Sequence, residues 1–261
     1  MRYLRLYRAF LVNNLSRAME FRAQFFAGIV GYAVWSGVSL LFIESVFSHV
    51  GAVRGWTREE MWVLLGTFII LESLCYGFLG PNMLRFSNSV RDGTLDMALT
   101  KPVSTQFFVS TRYIDINGLM NSIIGVALLI IGLRRVGHTP AVQHWAIWLM
   151  LLGCGLIMAY SIWFFCVTWS VWAVKLEAIA VVFDPMMQMA RFPLQIYPTR
   201  LQAMLTFVLP VAFLTTFPAQ ALLGRGQLRT LPLALGLAAV MLWISHRFFQ
   251  YALRSYGSAS S

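Results

Sequence analysis

Two carboxylates inside long apolar stretches are the first candidates for chemistry in this chain. Glu72 and Asp184 each stand within an apolar segment of near membrane-spanning length. Acidic residues in such positions often mark ion or proton sites. They can equally be buried groups that are hydrogen-bonded, or groups that face a wet cavity. Because the two acids belong to different segments, the sequence alone does not establish a relay between them.

The sequence contains no motif for nucleotide hydrolysis. A phosphate-binding loop requires a Gly-rich turn that ends in Gly-Lys-Ser/Thr. The only two lysines are followed by Pro102 and Leu176, so neither fits. The four histidines make no His-x-x-x-His pair, and there is no Gly-x-Ser-x-Gly elbow. We therefore expect neither catalysis nor a cofactor in this chain.

A polar stretch at 88–102 separates two apolar segments and carries both charge signs. Ser89 with Asp92 three residues later resembles a capping box that uses Asp in place of Glu. Gly93 permits a break in the helix, and Asp92 or Thr94 can then cap a second, short helix. The stretch is longer than a linker between two apolar helices requires, which indicates a surface that something outside the membrane recognises.

The second helix is predicted at about 92–101. It would place Leu95, Ala98 and Leu99 on one apolar face, and Pro102 would prevent its continuation. An apolar face of this kind can dock in the groove of a partner protein. Alternatively, the leucines contact the chain's own helices. The residue pattern alone leaves both interpretations open.

The composition places the chain among integral membrane proteins. Of its 261 residues, 59% are hydrophobic and only 11% are charged, whereas a soluble domain carries about 25% charged residues. The net charge is +10. In a membrane protein such an excess usually lies at the cytoplasmic surface, so nucleic acid is not expected as a partner. The three cysteines show neither zinc nor disulfide spacing.

The N-terminal residues 1–23 predict an amphipathic helix that lies in the membrane interface. Its leucines fall near one face, and its arginines fall largely elsewhere. The basic side chains would anchor the helix to anionic lipid. They are Arg2, Arg5, Arg8 and Arg17. The alternative is an ordinary solvated leader.

The remainder predicts an all-α transmembrane domain over 24–256, followed by a disordered tail at 257–261. Six apolar segments are close to the length of about 20 residues that a bilayer requires. These segments are 24–47, 62–82, 105–133, 145–173, 176–192 and 230–253.

An apolar segment at 193–228 decides the topology. It contains four prolines, which break helix interiors, and the uninterrupted pieces are too short to cross a bilayer. We expect a re-entrant helical hairpin on the external side; the alternative is a kinked seventh span. With six spans both termini share one side, which holds twelve of the twenty Arg and Lys residues. We therefore expect a multi-pass protein of a cell membrane, such as the bacterial inner membrane, with cytoplasmic termini.

The third segment carries small residues on one face, which let helices approach closely in lipid. They are Gly118, Ser122, Gly125 and Gly132. Packing is one interpretation of this face; the other is a substrate path lined by the adjacent Asn117 and Asn121. Met187, in a Met-rich fifth segment, could line an adaptable cavity. With Glu72 and Asp184, these residues are the candidates for a translocation path.

Several motifs in these segments are shared with one family of permeases. They are Gly93-Thr94-Leu95-Asp96 with Lys101-Pro102, Arg191-Phe192-Pro193, Tyr197-Pro198, Pro210 and Pro218-Ala219. Together with the N-terminal helix and the six segments, they make the whole chain resemble an export-type, or type-2, ABC transporter permease. The similar branch pairs two small permeases with a separate ATPase. Typical members have Glu where this chain has Asp92 or Asp96.

The resemblance implies a transmembrane subunit of an ATP-driven exporter that forms a homodimer or a heterodimer with a sister permease. ATP and Mg would bind to the separate ATPase. The loop after the second span would form the coupling helix on that ATPase, and spans one, two and five would line the path. The implied coupling residues are Arg91, Asp92, Gly93, Thr94, Leu95, Asp96, Leu99, Lys101 and Pro102.

Two further function classes remain open at this point. One is an ion-coupled transporter that uses Glu72 and Asp184. The other is a membrane assembly subunit that transports no substrate.

Overall fold

The computed structural model describes residues 2–20, 22–172, 177–226 and 229–256. The predicted all-α class is confirmed: these residues form helices and one two-stranded hairpin, Ala52–Val53 with Trp56–Thr57. The α-helices are α1 Arg2–Glu20, α2 Arg22–Phe47, α3 Arg58–Leu74, α4 Gly80–Arg91, α5 Asp96–Leu99, α6 Thr105–Thr111, α7 Ile116–Val136, α8 Val142–Thr168, α9 Glu177–Ala190, α10 Thr199–Phe207, α11 Phe217–Leu222 and α12 Thr230–Ser255. The predicted tail at 257–261 lies outside the described residues.

Five helices among the described residues are long and apolar enough to cross a membrane, or six if one bent pair counts as a span. The longest runs from α3 through a π-helical turn at Cys75–Leu79 into α4. The five are Phe26–Phe47, Arg58–Arg91, Ile116–Val136, Val142–Val171 and Thr230–Ser255. The bent pair is Thr199–Phe207 with Ala212–Leu222, at 76°.

The two-stranded hairpin lies at one end of the helix bundle. The Trp56 indole N–H donates to Gln195 Oε1 at 3.1 Å, and the Arg225 guanidinium lies 2.6 Å from the Glu60 carboxylate. The segments before α10 and after α11 are therefore both at this end, which we call the hairpin end. The segments that flank the bent α10–α11 pair therefore lie close together.

The opposite end contains α5 and is called the α5 end. The Asn14 side-chain amide donates to the Arg112 carbonyl at 3.0 Å, which places α1 here. His246 Nδ1 lies 2.5 Å from Gln106 Oε1, which joins the C-terminal part of α12 to α6. The first helix and the C-terminal part of the last helix therefore both lie at the same end as the polar stretch.

The third predicted span, 105–133, is not continuous. The helix α6 ends at Thr111 and α7 begins at Ile116. Asp115 caps α7, because its carboxylate accepts the backbone N–H of Asn117 at 3.0 Å, and its own N–H donates to the Gly77 carbonyl at 2.8 Å. A carboxylate that accepts a backbone N–H of the first turn is an N-cap, so a new helix starts after Asp115. The prediction followed apolar content and overlooked this cap.

The predicted fifth span, 176–192, corresponds to α9, whose described part has 14 residues. At 1.5 Å per residue the described part of α9 is about 21 Å long, less than the roughly 30 Å of bilayer hydrocarbon. It therefore does not count among the membrane-length helices found over the described residues. Residue 176 lies outside those residues.

The predicted capping box at Ser89 and Asp92 is wrong. The helix α4 continues to Arg91, and the Ser89 hydroxyl donates to the Arg85 carbonyl one turn earlier. Asp92 is instead the C-cap of α4. A serine inside a helix can satisfy itself by such an i−4 bond, so the Ser-x-x-Asp spacing did not identify a helix start here.

Glycines bring α3 and α7 into close contact, which supports packing as the role of the small residues on α7. A Cβ atom added to Gly66 would lie 2.6 Å from the Leu129 backbone nitrogen. One added to Gly125 would lie 2.8 Å from Ile70, and one added to Gly132 would lie 2.9 Å from the Val63 nitrogen. These backbones approach each other only because side chains are absent.

Candidate functional site

The polar stretch forms a short turn of helix anchored to the bundle. Gly93 adopts the left-handed conformation, with φ of 69°, and ends the α4 direction. The Leu95 N–H then donates to the Ser89 carbonyl at 3.1 Å. The helix α5 is four residues long, shorter than the predicted 92–101, and its start has no side-chain cap. Its position is fixed by backbone bonds and by burial of Leu95.

The apolar residues of this turn divide between two directions. Leu95 is 0% exposed and belongs to the main hydrophobic core. Met97 is 70% exposed and Leu99 is 40% exposed. The sequence left open whether these leucines dock in a partner protein or contact the chain's own helices. Leu95 contacts the chain's own helices. Met97 was not among the predicted site residues.

The charged residues around α5 are accessible. Arg91 Nε lies 3.1 Å from Asp92 Oδ1, and both side chains are about half exposed. Thr94, Lys101 and Pro102 are also exposed, whereas Gly93 and Asp96 are half-buried. Tyr256, after α12, lies close enough to Asp96 to be affected by its charge: burial first, and then this carboxylate, raise the pKa of the tyrosine. Asp96 therefore lies near the C-terminal end of α12.

A cleft of about 490 Å³ separates α5 from α4 and α6. Two arginines that the sequence analysis had not assigned to a site lie in its wall. The Arg85 guanidinium is 4.0 Å from the centre of the Tyr113 ring, and the Arg112 guanidinium is 5.0 Å from the same ring. Only the tertiary structure brings these two side chains to one ring.

The helix α1 packs on α6, directly after the polar stretch. The Tyr3 and Phe107 rings meet edge to face with 4.9 Å between centroids, and Phe10 meets Phe108 at 6.0 Å. The Tyr3 hydroxyl also accepts the Ser104 N–H at 3.4 Å. The predicted anchoring residues Arg5 and Arg8 are exposed; the side chains of Arg2 and Arg17 lie outside the described part of the structure. Aromatic contacts therefore join α1 to the α5 end.

A groove of about 520 Å³ lies between α2, the α3–α4 helix and α7. It is lined by Gly28, Gly31, Tyr32, Trp35, Glu72, Ser73, Tyr76, Gly118 and Asn121. Two of the five predicted path residues, Glu72 and Asn121, therefore lie together here. The path was expected between spans one, two and five, whereas the groove uses the first, second and third membrane-length helices.

The other predicted path residues are distributed differently. Asp184 on α9 accepts a hydrogen bond from the Tyr76 hydroxyl at 2.9 Å, which connects it to the groove wall. Asn117 packs beside Gly28, where an added Cβ would lie 3.2 Å from its amide nitrogen. Met187 is fully buried in the core and lies away from the groove lining.

Arg191 lies close to two groove-lining residues, Trp35 and Glu72, although it is not itself part of the lining. The sequence assigned it no role. Its guanidinium lies 5.2 Å from the Trp35 ring and 5.3 Å from the Phe68 ring. It also interacts electrostatically with Glu72. Its Nε and Nη2 atoms are buried and have no hydrogen-bond partner among the described residues. A single arginine before Phe192-Pro193 was visible in the sequence, but its neighbours on α2 and α3 were not.

Comparison with known proteins assigns the chain to a family. A search of curated proteins and a search of solved structures gave no match. A family model described as "ABC-2 family transporter protein" matches residues 33–260. This range includes the polar stretch, α12 and the groove-lining residues from Trp35 onward. The resemblance inferred from the motifs is thereby confirmed: the chain belongs to the ABC-2 transporter family, and it is a multi-pass transmembrane component of an ABC transporter.

Proposed function

We propose that this chain is the permease subunit of an ATP-driven exporter and is coupled through α5 to a separate ATPase. Members of the ABC-2 family generally act with an ABC ATPase subunit. The observation that carries the proposal is the different exposure of residues at α5. Leu95, which directly precedes α5, is fully buried, while Met97 and Leu99 on α5 are exposed. A partner that moves the exposed side must also move the core in which Leu95 is anchored.

In this proposal ATP and Mg bind to the partner, and the chain itself carries out no hydrolysis. The α5 end is cytoplasmic, with α1 in the membrane interface and α10–α11 as an external re-entrant hairpin. A second permease, identical or a sister chain, completes the translocation path, of which the groove is one wall. Coupling requires that the partner's contacts with α5 differ between its ATP-bound and ATP-free states.

The test is purification of the full chain from its native membrane in mild detergent, with identification of bound proteins by mass spectrometry. We expect an ATPase that contains a phosphate-binding loop. Met97→Glu should reduce its recovery at least tenfold, which corresponds to about 1.4 kcal/mol of binding free energy, because a charge would be buried at the contact. Val142→Glu is the matched control, because Val142 is 86% exposed at the start of α8, next to the hairpin end.

Absence of an ATPase from the wild-type preparation would contradict the proposal. Equal recovery with wild type and Met97→Glu would contradict the role of α5. Thermal stability of both variants in detergent is measured in parallel, because a loss of recovery counts only when the fold is retained.

A further inference from the structure

We infer that the groove between α2, α3–α4 and α7 binds a monovalent organic cation with an apolar body. This inference rests on the proposed function and names the chemical class of the transported substrate. The lining combines three aromatic side chains, on two helices, with one carboxylate. These are Tyr32, Trp35, Tyr76 and Glu72. Aromatic faces beside a carboxylate are the usual recognition elements for ammonium, phosphonium and similar cations.

The charges near the groove favour a cation. Apart from the tyrosine hydroxyls, Glu72 is the one acidic or basic side chain in the described lining. A second carboxylate, Asp184, accepts a hydrogen bond from the Tyr76 hydroxyl at 2.9 Å. The positive charge that opposes them is Arg191, which interacts with Glu72. Two carboxyl groups and one guanidinium therefore lie in or beside the groove, and this excess of acidic over basic groups favours a monovalent cation over an anion.

Arg191 is not positioned to receive an anionic ligand. Its guanidinium is stacked against Trp35 and Phe68, it is not part of the groove lining, and its Nε and Nη2 atoms are buried. An anion that entered the groove would therefore meet Glu72 before it met the guanidinium.

The dimensions and surface of the groove fit a small amphipathic molecule. Its volume of about 520 Å³ falls within the roughly 300–1,000 Å³ typical of ligand sites. Gly31 leaves the α2 side open, because a Cβ added there would meet nothing within 4 Å. A carboxylate in an apolar, membrane-facing region needs a compensating charge. A cationic substrate supplies part of that compensation when it binds.

The experiment compares two ions of the same shape and opposite charge. Tetraphenylphosphonium and tetraphenylborate are titrated separately, by calorimetry, into the purified full-length chain in one detergent, without the ATPase. We expect saturable binding of tetraphenylphosphonium and none of tetraphenylborate. Glu72→Gln should weaken phosphonium binding at least tenfold. Trp35→Ala should weaken it about two- to thirtyfold, the range expected for a lost cation–π contact, and Trp35→Phe should retain most of the affinity.

Glu59→Gln is the control, because Glu59 lies in the first turn of α3 at the hairpin end and outside the groove lining. Trp35 is 50% exposed, so its replacement leaves the core intact even if Glu72→Gln reduces stability. The inference is overturned by equal or tighter binding of tetraphenylborate, by no saturable phosphonium binding, or by unchanged affinity in both Glu72→Gln and Trp35→Ala. Because the titration omits the ATPase, it can fail while the ATPase still copurifies, so the two proposals are tested independently.

Discussion

Leu95 and Met97 are two residues apart and face opposite sides of the same short turn. Leu95 lies in the hydrophobic core, and Met97 is among the most exposed apolar side chains described. A turn anchored by one residue and exposed at the other is suited to transmit a force applied from outside into the bundle. We therefore expect substitutions of Leu95 to change the stability of the fold and substitutions of Met97 to change the binding of a partner.

Leu95→Ala should destabilise the fold, and Met97→Ala should not. Removing a fully buried leucine side chain costs about 2–5 kcal/mol, whereas an exposed substitution usually changes stability by about 0.5 kcal/mol or less. Thermal unfolding of the purified chain, followed by loss of the monodisperse peak in size-exclusion chromatography, measures the difference. Similar midpoints for the two variants would show that Leu95 is not anchored in the core.

Gly66→Ala should lower the midpoint of thermal unfolding, because the new methyl group would overlap the α7 backbone. The nearest atoms lie at 2.6 and 2.7 Å, so the helices must separate, and overpacking of this kind costs about 1–3 kcal/mol. The control is Gly153→Ala on α8, where an added Cβ meets nothing within 4 Å. If the alanine at 66 were as well tolerated as the alanine at 153, the close contact of α3 with α7 would be wrong.

Arg225→Met should destabilise the hairpin end more than Arg58→Met does. Arg225 pairs with Glu60, whose side chain is buried and also accepts the Thr57 N–H at 3.0 Å. Loss of the arginine leaves a buried acceptor without its charged partner, at a cost of about 1–3 kcal/mol. The Arg58 pair with Glu44 is more exposed and contributes about 0–1 kcal/mol. Unfolding midpoints of the two variants give the comparison, and the reverse order would contradict the assignment.

Tyr3→Ala should loosen α1 from α6. The substitution removes the ring contact with Phe107 and the hydroxyl that accepts the Ser104 N–H. An aromatic pair contributes about 0.5–1.5 kcal/mol, so amide exchange in α1 should become about two- to tenfold faster by mass spectrometry. Tyr3→Phe keeps the ring and should show a smaller change. Exchange that is insensitive to both substitutions would indicate that α1 does not depend on this contact.

Much of the architecture could be predicted from local sequence. Apolar length identified most of the membrane-length helices, because a bilayer sets a nearly fixed length for them. Prolines at 193–228 indicated a broken segment, and the structure has a bent pair there. Two of the errors arose at single polar side chains. Asp115 divides the predicted third span by capping α7, and Ser89 bonds within α4 instead of starting a new helix.

The candidate sites, too, could be predicted only in part from the sequence. The sequence determined the membrane class, the family, the absence of a phosphate-binding loop, and the position of a polar surface segment near α5. These follow from composition and from short motifs, which are local properties. The tertiary structure decided that Leu95 points inward and Met97 outward, that Glu72 and Asn121 share one groove, and that Tyr76 connects Asp184 to it. These contacts join residues up to 108 positions apart, and only the packing of helices against one another determines them.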